Sequence, residues 1–186
     1  ETGGGLSDVS DAPFTISPVM RIRPIVKGDT WKYEDSGLDP GPAWNTLGFD
    51  DSAWASGAGQ FGYGDLDEQT VLTRTYPSQT AVYFRKKINL SGAVSFASLR
   101  VLFDDGVAVF VNGTQVYSYN VPNTAHAKYA TASEENREET AELSLSPNPF
   151  VHGENIIGVI VKQNGRTSPD LSFDLSLEVD VTPGGH

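Results

Sequence analysis

The chain has no cysteine. That removes disulfides, thiolate zinc sites and a cysteine nucleophile, while leaving the cellular compartment open. Basic residues are scarce as well: 13 Lys and Arg stand against 24 Asp and Glu, a formal net charge of −11. A nucleic-acid partner needs a basic surface to displace counterions from phosphates, so none is expected, and an anionic membrane surface is disfavoured for the same reason. No apolar run approaches a bilayer span, so membrane insertion is not expected either. The first residues lack the apolar core of a signal peptide, and the 186-residue chain reads as mature or trimmed. Glu1-Thr2-Gly3 and Gly184-Gly185-His186 resemble vector remnants and stand outside the fold argument.

Signs of catalysis are missing too. The three histidines, His126, His152 and His186, show no metal-ligand spacing. There is no Gly-x-Ser-x-Gly, no phosphate-binding glycine loop and no Ser/His/Asp set that can be placed. Adjacent carboxylates such as Asp50-Asp51 and Glu138-Glu139 do not supply the two carboxyls facing across a cleft that glycoside hydrolysis requires. The chain is therefore not expected to be an enzyme.

What is present favours strands. Hydrophobic residues are 38% of the chain and fall in short runs, punctuated by 19 Gly and 11 Pro. Arg21–Val26 and Thr30–Tyr33 read as short strands, and residues 34–64 as a long ordered loop region. Ala81–Leu90 is a strand, and alternation in Ala97–Phe103 sets Leu99, Val101 and Phe103 on one face. Asp104-Asp105-Gly106 reads as a tight turn into Val107–Val111, and Asn112-Gly113 as a type I′ hairpin turn into Gln115–Tyr119, so a three-stranded meander is expected. Residues 122–138 read as loop or irregular strand, Ala141–Leu145 as a short strand, and Asn155–Lys162 as a strand buried on both faces. In Ser172–Val181, Phe173, Leu175, Leu177, Val179 and Val181 point one way and Asp174, Ser176, Glu178 and Asp180 the other. The reading is all-β: an antiparallel two-sheet β-sandwich over residues 21–181, with an N-terminal arm at 1–20 and a short tail at 182–186.

The motif order carries a resemblance. Trp44-Asn45, Gly48-Phe49-Asp50-Asp51-Ser52-Ala53-Trp54 and Gly57-Ala58-Gly59-Gln60-Phe61-Gly62-Tyr63-Gly64-Asp65 come first. They are followed by Tyr83-Phe84-Arg85-Lys86, Phe103-Asp104-Asp105-Gly106, Val111-Asn112-Gly113, Gly153-Glu154-Asn155 and Asp170-Leu171-Ser172-Phe173-Asp174-Leu175. Together they resemble the galactose-binding-domain-like jelly roll and are similar to the sugar-binding domain of family 2 glycoside hydrolases. The resemblance implies a carbohydrate-binding module of a larger extracellular protein, secreted or at the cell surface. Its partners would be a glycan or polysaccharide and the neighbouring domains. A structural or adhesive protein-binding domain is the alternative, because the fold hosts both.

Trp44 and Trp54 read as pins for the long loop and Trp31 as core. Tyr63 and Tyr119 read as exposed. With Asn120 and the polar loop Gln163, Asn164, Arg166 and Asp170 they form the candidate ligand-binding set, since sugars stack on aromatic rings and hydrogen-bond to planar polar groups. Asp65, Asp67 and Glu68 cluster hard oxygen donors without EF-hand spacing and are the candidate ligands of a structural calcium ion. Asp104 and Asp105 are accounted for by the turn alone.

Overall fold

The computed structural model describes residues 18–75 and 79–183; among them there are twelve strands and no helix. The expected arm lies mostly outside the described residues, and the first strand, β1 (Met20–Ile25), begins at its edge. The rest follow as β2 (Thr30–Glu34), β3 (Ala55–Ala58), β4 (Phe61–Tyr63), β5 (Thr70–Val71), β6 (Ala81–Leu90), β7 (Gly92–Phe103), β8 (Gly106–Val111), β9 (Thr114–Tyr119), β10 (Arg137–Glu142), β11 (Gly153–Lys162) and β12 (Leu171–Pro183). One sheet runs β10-β7-β12-β4-β5, with β1 also paired to β12, and the other β3-β2-β6-β11-β8-β9. Every pairing is antiparallel except the short β4–β5 contact. This is the expected jelly-roll sandwich.

Period-two alternation explains the core. Phe173, Leu175, Leu177, Val179 and Val181 of β12 are buried against Phe84, Val159 and Trp31 of the facing sheet. The Phe84 and Phe173 rings lie 4.2 Å apart and Trp31 meets Phe173 edge-on at 5.4 Å. Each fully buried side chain of this kind contributes about 1.5–3 kcal/mol. β11 is apolar on both faces because it is covered twice: Val159 and Val161 face the main core, and Ile160 faces a second cluster on the outside of its own sheet. Asn112 (φ 50°) and Gly113 (φ 87°) have the two positive φ angles that a type I′ turn demands.

Four expectations need correction. The region 34–64 contains two strands, β3 and β4; Ala-Ser-Gly-Ala is strand by pairing to β2 rather than by propensity, and Phe-Gly-Tyr pairs to β12 over only three residues, too short a run to show a period. The strand expected at Ala141–Leu145 is β10, four residues earlier, whose Arg-Glu-Glu-Thr-Ala-Glu sequence hides its edge-strand character. The tail expected at 182–186 loses Thr182 and Pro183 to β12. The three-strand meander is not formed: β7 lies in one sheet while β8 and β9 lie in the other. Asp104-Asp105 is the corner between them, with the Asp104 N–H bonded to the Ser172 carbonyl of one sheet and the Asp105 N–H to the Lys162 carbonyl of the other. Both aspartates are buried, so the corner lies in the interior of the sandwich.

The outer face of the second sheet is roofed by residues 35–54, and one side chain holds the roof. Arg85 of β6 is fully buried; its Nε donates to Asp51 Oδ2 at 2.8 Å, Nη1 to the Trp44 carbonyl and to the Thr46 carbonyl at 3.0 Å, and Nη2 to the Phe49 carbonyl at 3.4 Å. The Phe49 ring covers the guanidinium at 5.0 Å. Gly158 on the neighbouring strand makes room, since a Cβ there would lie 3.0 Å from both Asn45 and Trp44. Replacing Arg85 with Met removes one partner from a buried charged network, which typically costs about 3–5 kcal/mol. Urea unfolding of Arg85→Met is expected to show a loss of that order; a loss below about 1 kcal/mol would mean that Trp44 and Trp54 hold the loop by packing alone.

Candidate functional site

Two places on the sandwich bring polar chemistry together. The first lies on the roofed face. Tyr83 of β6 and Phe110 of β8 point outward, and Trp44 meets both edge-on at 4.9 and 5.5 Å between ring centroids. Across from the Trp44 loop, residues 121–130 are drawn down onto the same face. Lys162 Nζ donates to the carbonyls of Ala125 at 2.7 Å and His126 at 3.1 Å, and Thr80 Oγ1 donates to the His126 carbonyl at 2.7 Å. The His126 ring lies nearly parallel to Tyr83, with Nδ1 at 2.9 Å from the Tyr83 hydroxyl. Between the two loops a cavity of about 500 Å³ opens, floored by the aromatic edges and rimmed by Asp39, Asn45, Asn123 and His126. Burial pushes the Tyr83 hydroxyl well above the usual tyrosine range, so it stays neutral and can both donate and accept. Burial also pulls the Lys162 ammonium down to about 8.

The second place is the Asp104-Asp105 corner and the loops around it. The Asp105 carboxylate accepts from the Glu134 N–H at 2.9 Å, the Asn164 N–H at 2.8 Å and Ser168 Oγ at 3.3 Å. Asn120, at φ 59°, donates to the Asp105 and Ala132 carbonyls at 3.1 and 2.6 Å. Tyr119 donates to Glu134 Oε1 at 3.1 Å beneath the Arg137 guanidinium. Gln163 Nε2 donates to Tyr63 Oη at 2.7 Å and to the Asp170 carbonyl at 2.8 Å. The structure thus brings Tyr63, Tyr119, Asn120, Gln163, Asn164 and Asp170 to one end, with Arg166 exposed in the same loop. Tyr63 and Gln163, however, are interior residues that tie loops together, with the Gln163 amide N–H donating to the Tyr63 hydroxyl away from solvent. The sequence reading of Tyr63 as exposed is corrected accordingly.

At the same end, Asp65, Asp67 and Glu68 each bring a carboxylate oxygen within 4.8 Å of the other two. Local bonds already use part of that set: Glu68 Oε1 accepts the Asp65 N–H at 2.9 Å and Asp67 Oδ1 accepts Gln60 Nε2 at 3.1 Å. A second group within the same distance joins Asp65 to Glu135 and Asp170. Asp104, in the corner at this end, is 1% exposed, and neither of its carboxylate oxygens accepts a hydrogen bond. Burial first, then the charge of Asp105 and the hydrogen bond that a protonated Asp104 makes to it, with the charges of Asp170 and Glu135 after these, push the Asp104 carboxyl up to about 9. A larger groove of about 580 Å³ crosses the outer face of the first sheet, lined by side chains such as Arg23, Lys27, Arg100, Glu138 and Glu178 with no aromatic among them.

The groove on the second sheet went unseen in the sequence because its rim comes from segments some 80 residues apart, Asp39 with Asn45 and Asn123 with His126. The signals were local and ambiguous: Trp44-Asn45 belonged to a motif, and 122–138 read as a polar loop.

No family model matches the sequence, and no curated protein matches it. Solved structures do. A β-glucuronidase of Bacteroides uniformis superposes with a TM-score of 0.55 at 16% identity over 86% of this chain and 18% of its own. A Ruminococcus gnavus β-glucuronidase in complex with an N1-substituted uronic isofagomine gives 0.51 at 14% identity, over 92% of this chain and 31% of its own. A Bacteroides vulgatus β-glycosidase gives 0.50 at 15% identity, over 86% and 20%. The chain therefore shares its fold with a part of these proteins and spans less than a third of their length.

The buried ammonium makes a pH prediction. Lys162 has its folded-state pKa below the unfolded value of 10.5, so the unfolded chain binds more protons between about 8 and 10.5, and stability rises with pH across that window. Urea unfolding at pH 7.5 and 9.5 is expected to show wild type gaining on Lys162→Met as pH rises. Parallel behaviour of the two proteins would refute it.

Proposed function

We propose that this chain is a non-catalytic carbohydrate-binding module of a larger extracellular protein, taking glycan into the groove over Trp44, Tyr83 and Phe110. The observation that carries the reading is the composition of that groove: ring edges form an apolar floor while a carboxylate, two side-chain amides and an imidazole stand at the rim. A pyranose presents an apolar C–H face and equatorial hydroxyls, and it is recognised by that pairing of aromatic surface with planar donors and acceptors. Support also comes from the neighbours in fold, which are named as β-glucuronidases and a β-glycosidase and of which this chain matches a minor part. A module of this kind keeps an attached enzyme or cell surface near its polysaccharide. Affinity per site is modest, since little ring area is exposed, and repetition along the polymer raises it.

A glycan array followed by calorimetric titration tests this. Asn123→Ala and Asp39→Ala are each expected to weaken binding of the selected glycan by about tenfold, the equivalent of about 1.4 kcal/mol, whereas Arg166→Ala leaves it unchanged. Silence across the array would favour a structural or adhesive spacer instead. Loss of binding in Arg166→Ala alone would move the site to the loop at 163–170.

A further inference from the structure

The two banks of the groove over Trp44, Tyr83 and Phe110 are built alike and differ by one charge. On one bank Asp39 Oδ1 accepts the Gly41 N–H at 2.9 Å, and on the other Asn123 Oδ1 accepts the Ala125 N–H at 2.9 Å. Either side chain can make this local turn, because Oδ1 alone takes part in it. The turn therefore needs neither the second Asp39 oxygen nor its charge. Among the described residues no donor meets Asp39 Oδ2, and Asp39 stands exposed at the rim.

No lysine or arginine among the described residues lines the groove to answer that charge. The Lys162 ammonium belongs to the same face, but its side chain is wholly buried and its Nζ is bonded to the Ala125 and His126 carbonyls. It offsets part of the Asp39 charge through space and is out of a ligand's reach. After burial itself, the charge that acts on the Tyr83 hydroxyl and on the Lys162 ammonium is that of Asp39, so its field crosses the floor. His126 adds no second charged rim partner of Asp39's kind, since its Nδ1 is taken by the Tyr83 hydroxyl at 2.9 Å.

Three ligand groups fare differently between such banks. A hydroxyl can donate to Asp39 Oδ2 and accept from Asn123 Nδ2. An ammonium donates to Asp39 and brings a charge of opposite sign. A carboxylate can accept but not donate; it sheds water on entering and meets a like charge, with no accessible cation to replace the lost hydration.

We propose that the groove selects its glycan by charge, taking amino sugars before neutral ones and turning uronates away, with Asp39 as the residue that sets the order. The inference rests on the reading of the groove as a carbohydrate site.

Isothermal titration of the intact chain at pH 7 tests it, with oligosaccharides matched in linkage and configuration in gluco and galacto series. Members of a series differ in one group: a hydroxyl, an amine, an N-acetylated amine or a C6 carboxylate. The amine form is expected to bind about two- to fivefold tighter than the hydroxyl form, as an exposed ion pair allows, and N-acetylation to remove that gain. The uronate is expected to bind at least about tenfold more weakly than the hydroxyl form. In Asp39→Asn, which can keep the turn as Asn123 does, the amine-to-hydroxyl ratio is expected to fall to about one and the uronate penalty to shrink. Glu142→Gln, the same loss of one charge on β10 of the opposite sheet, is expected to keep both ratios. A uronate that binds as well as its neutral counterpart overturns the selection while leaving the groove a carbohydrate site, and so does an amine gain that survives in Asp39→Asn. Absence of binding in every series removes the carbohydrate reading itself, and the selection with it.

Discussion

The Arg85 guanidinium sits out of water on a β-strand, and a buried cation must find acceptors for its N–H groups. It finds them in three backbone carbonyls and one carboxylate of a loop that has no regular structure of its own. Two requirements are met together: the arginine is satisfied, and a loop full of polar backbone is fastened to a sheet face. Trp44 is then fixed over Tyr83 and Phe110, and the groove has a floor. The proposed ligand site is thus a by-product of solving one buried charge, with Gly158 yielding the space.

The other sheet presents its outer face differently. Arg21 with Asp180, Arg23 with Glu178 and Arg100 with Glu138 form ion pairs there in which the arginines are well exposed. Pairs of this kind contribute little to stability and mainly keep the face hydrated. Asp174 is the exception. It is buried on that face because its carboxylate accepts the Gly28 and Leu175 N–H groups, tying the β1–β2 turn to β12. One sheet is therefore roofed by loops and the other left largely open, so aromatic chemistry is concentrated on one side of the molecule.

The sandwich was legible wherever alternation was clean: β12, the Leu99-to-Phe103 stretch of β7 and the Asn112-Gly113 hairpin announce themselves in the residues, because their side-chain period and turn chemistry are local properties. β3 and β4 were not, since Ala, Ser and Gly become strand only when a neighbour supplies the hydrogen bonds, and the three residues Phe-Gly-Tyr are too few to show a period. Asp104-Asp105-Gly106 misled for a related reason. A turn signal reports that the chain changes direction but not whether it returns to the same sheet, and here it crosses to the other one. The ordered motifs pointed to the correct fold, whereas the candidate ligand residues mixed solvent-facing Arg166 with Tyr63 and Gln163, whose polar atoms meet inside. Burial of a polar side chain is a property of what the fold places opposite it, and no window of sequence contains that.

β12 pairs with β7 along nearly its whole length and on its other edge with both β4 and β1. It is the last strand in chain order and yet lies in the interior of its sheet. During synthesis, then, β1, the β4–β5 pair and the β7–β10 pair emerge from the ribosome without the strand that joins them, while β6, β8, β9 and β11 can already assemble the opposing sheet. Their apolar faces must wait, and the charges at Arg21, Arg23 and Arg100 are what those strands carry against adhesion of a half-made sandwich to its neighbours.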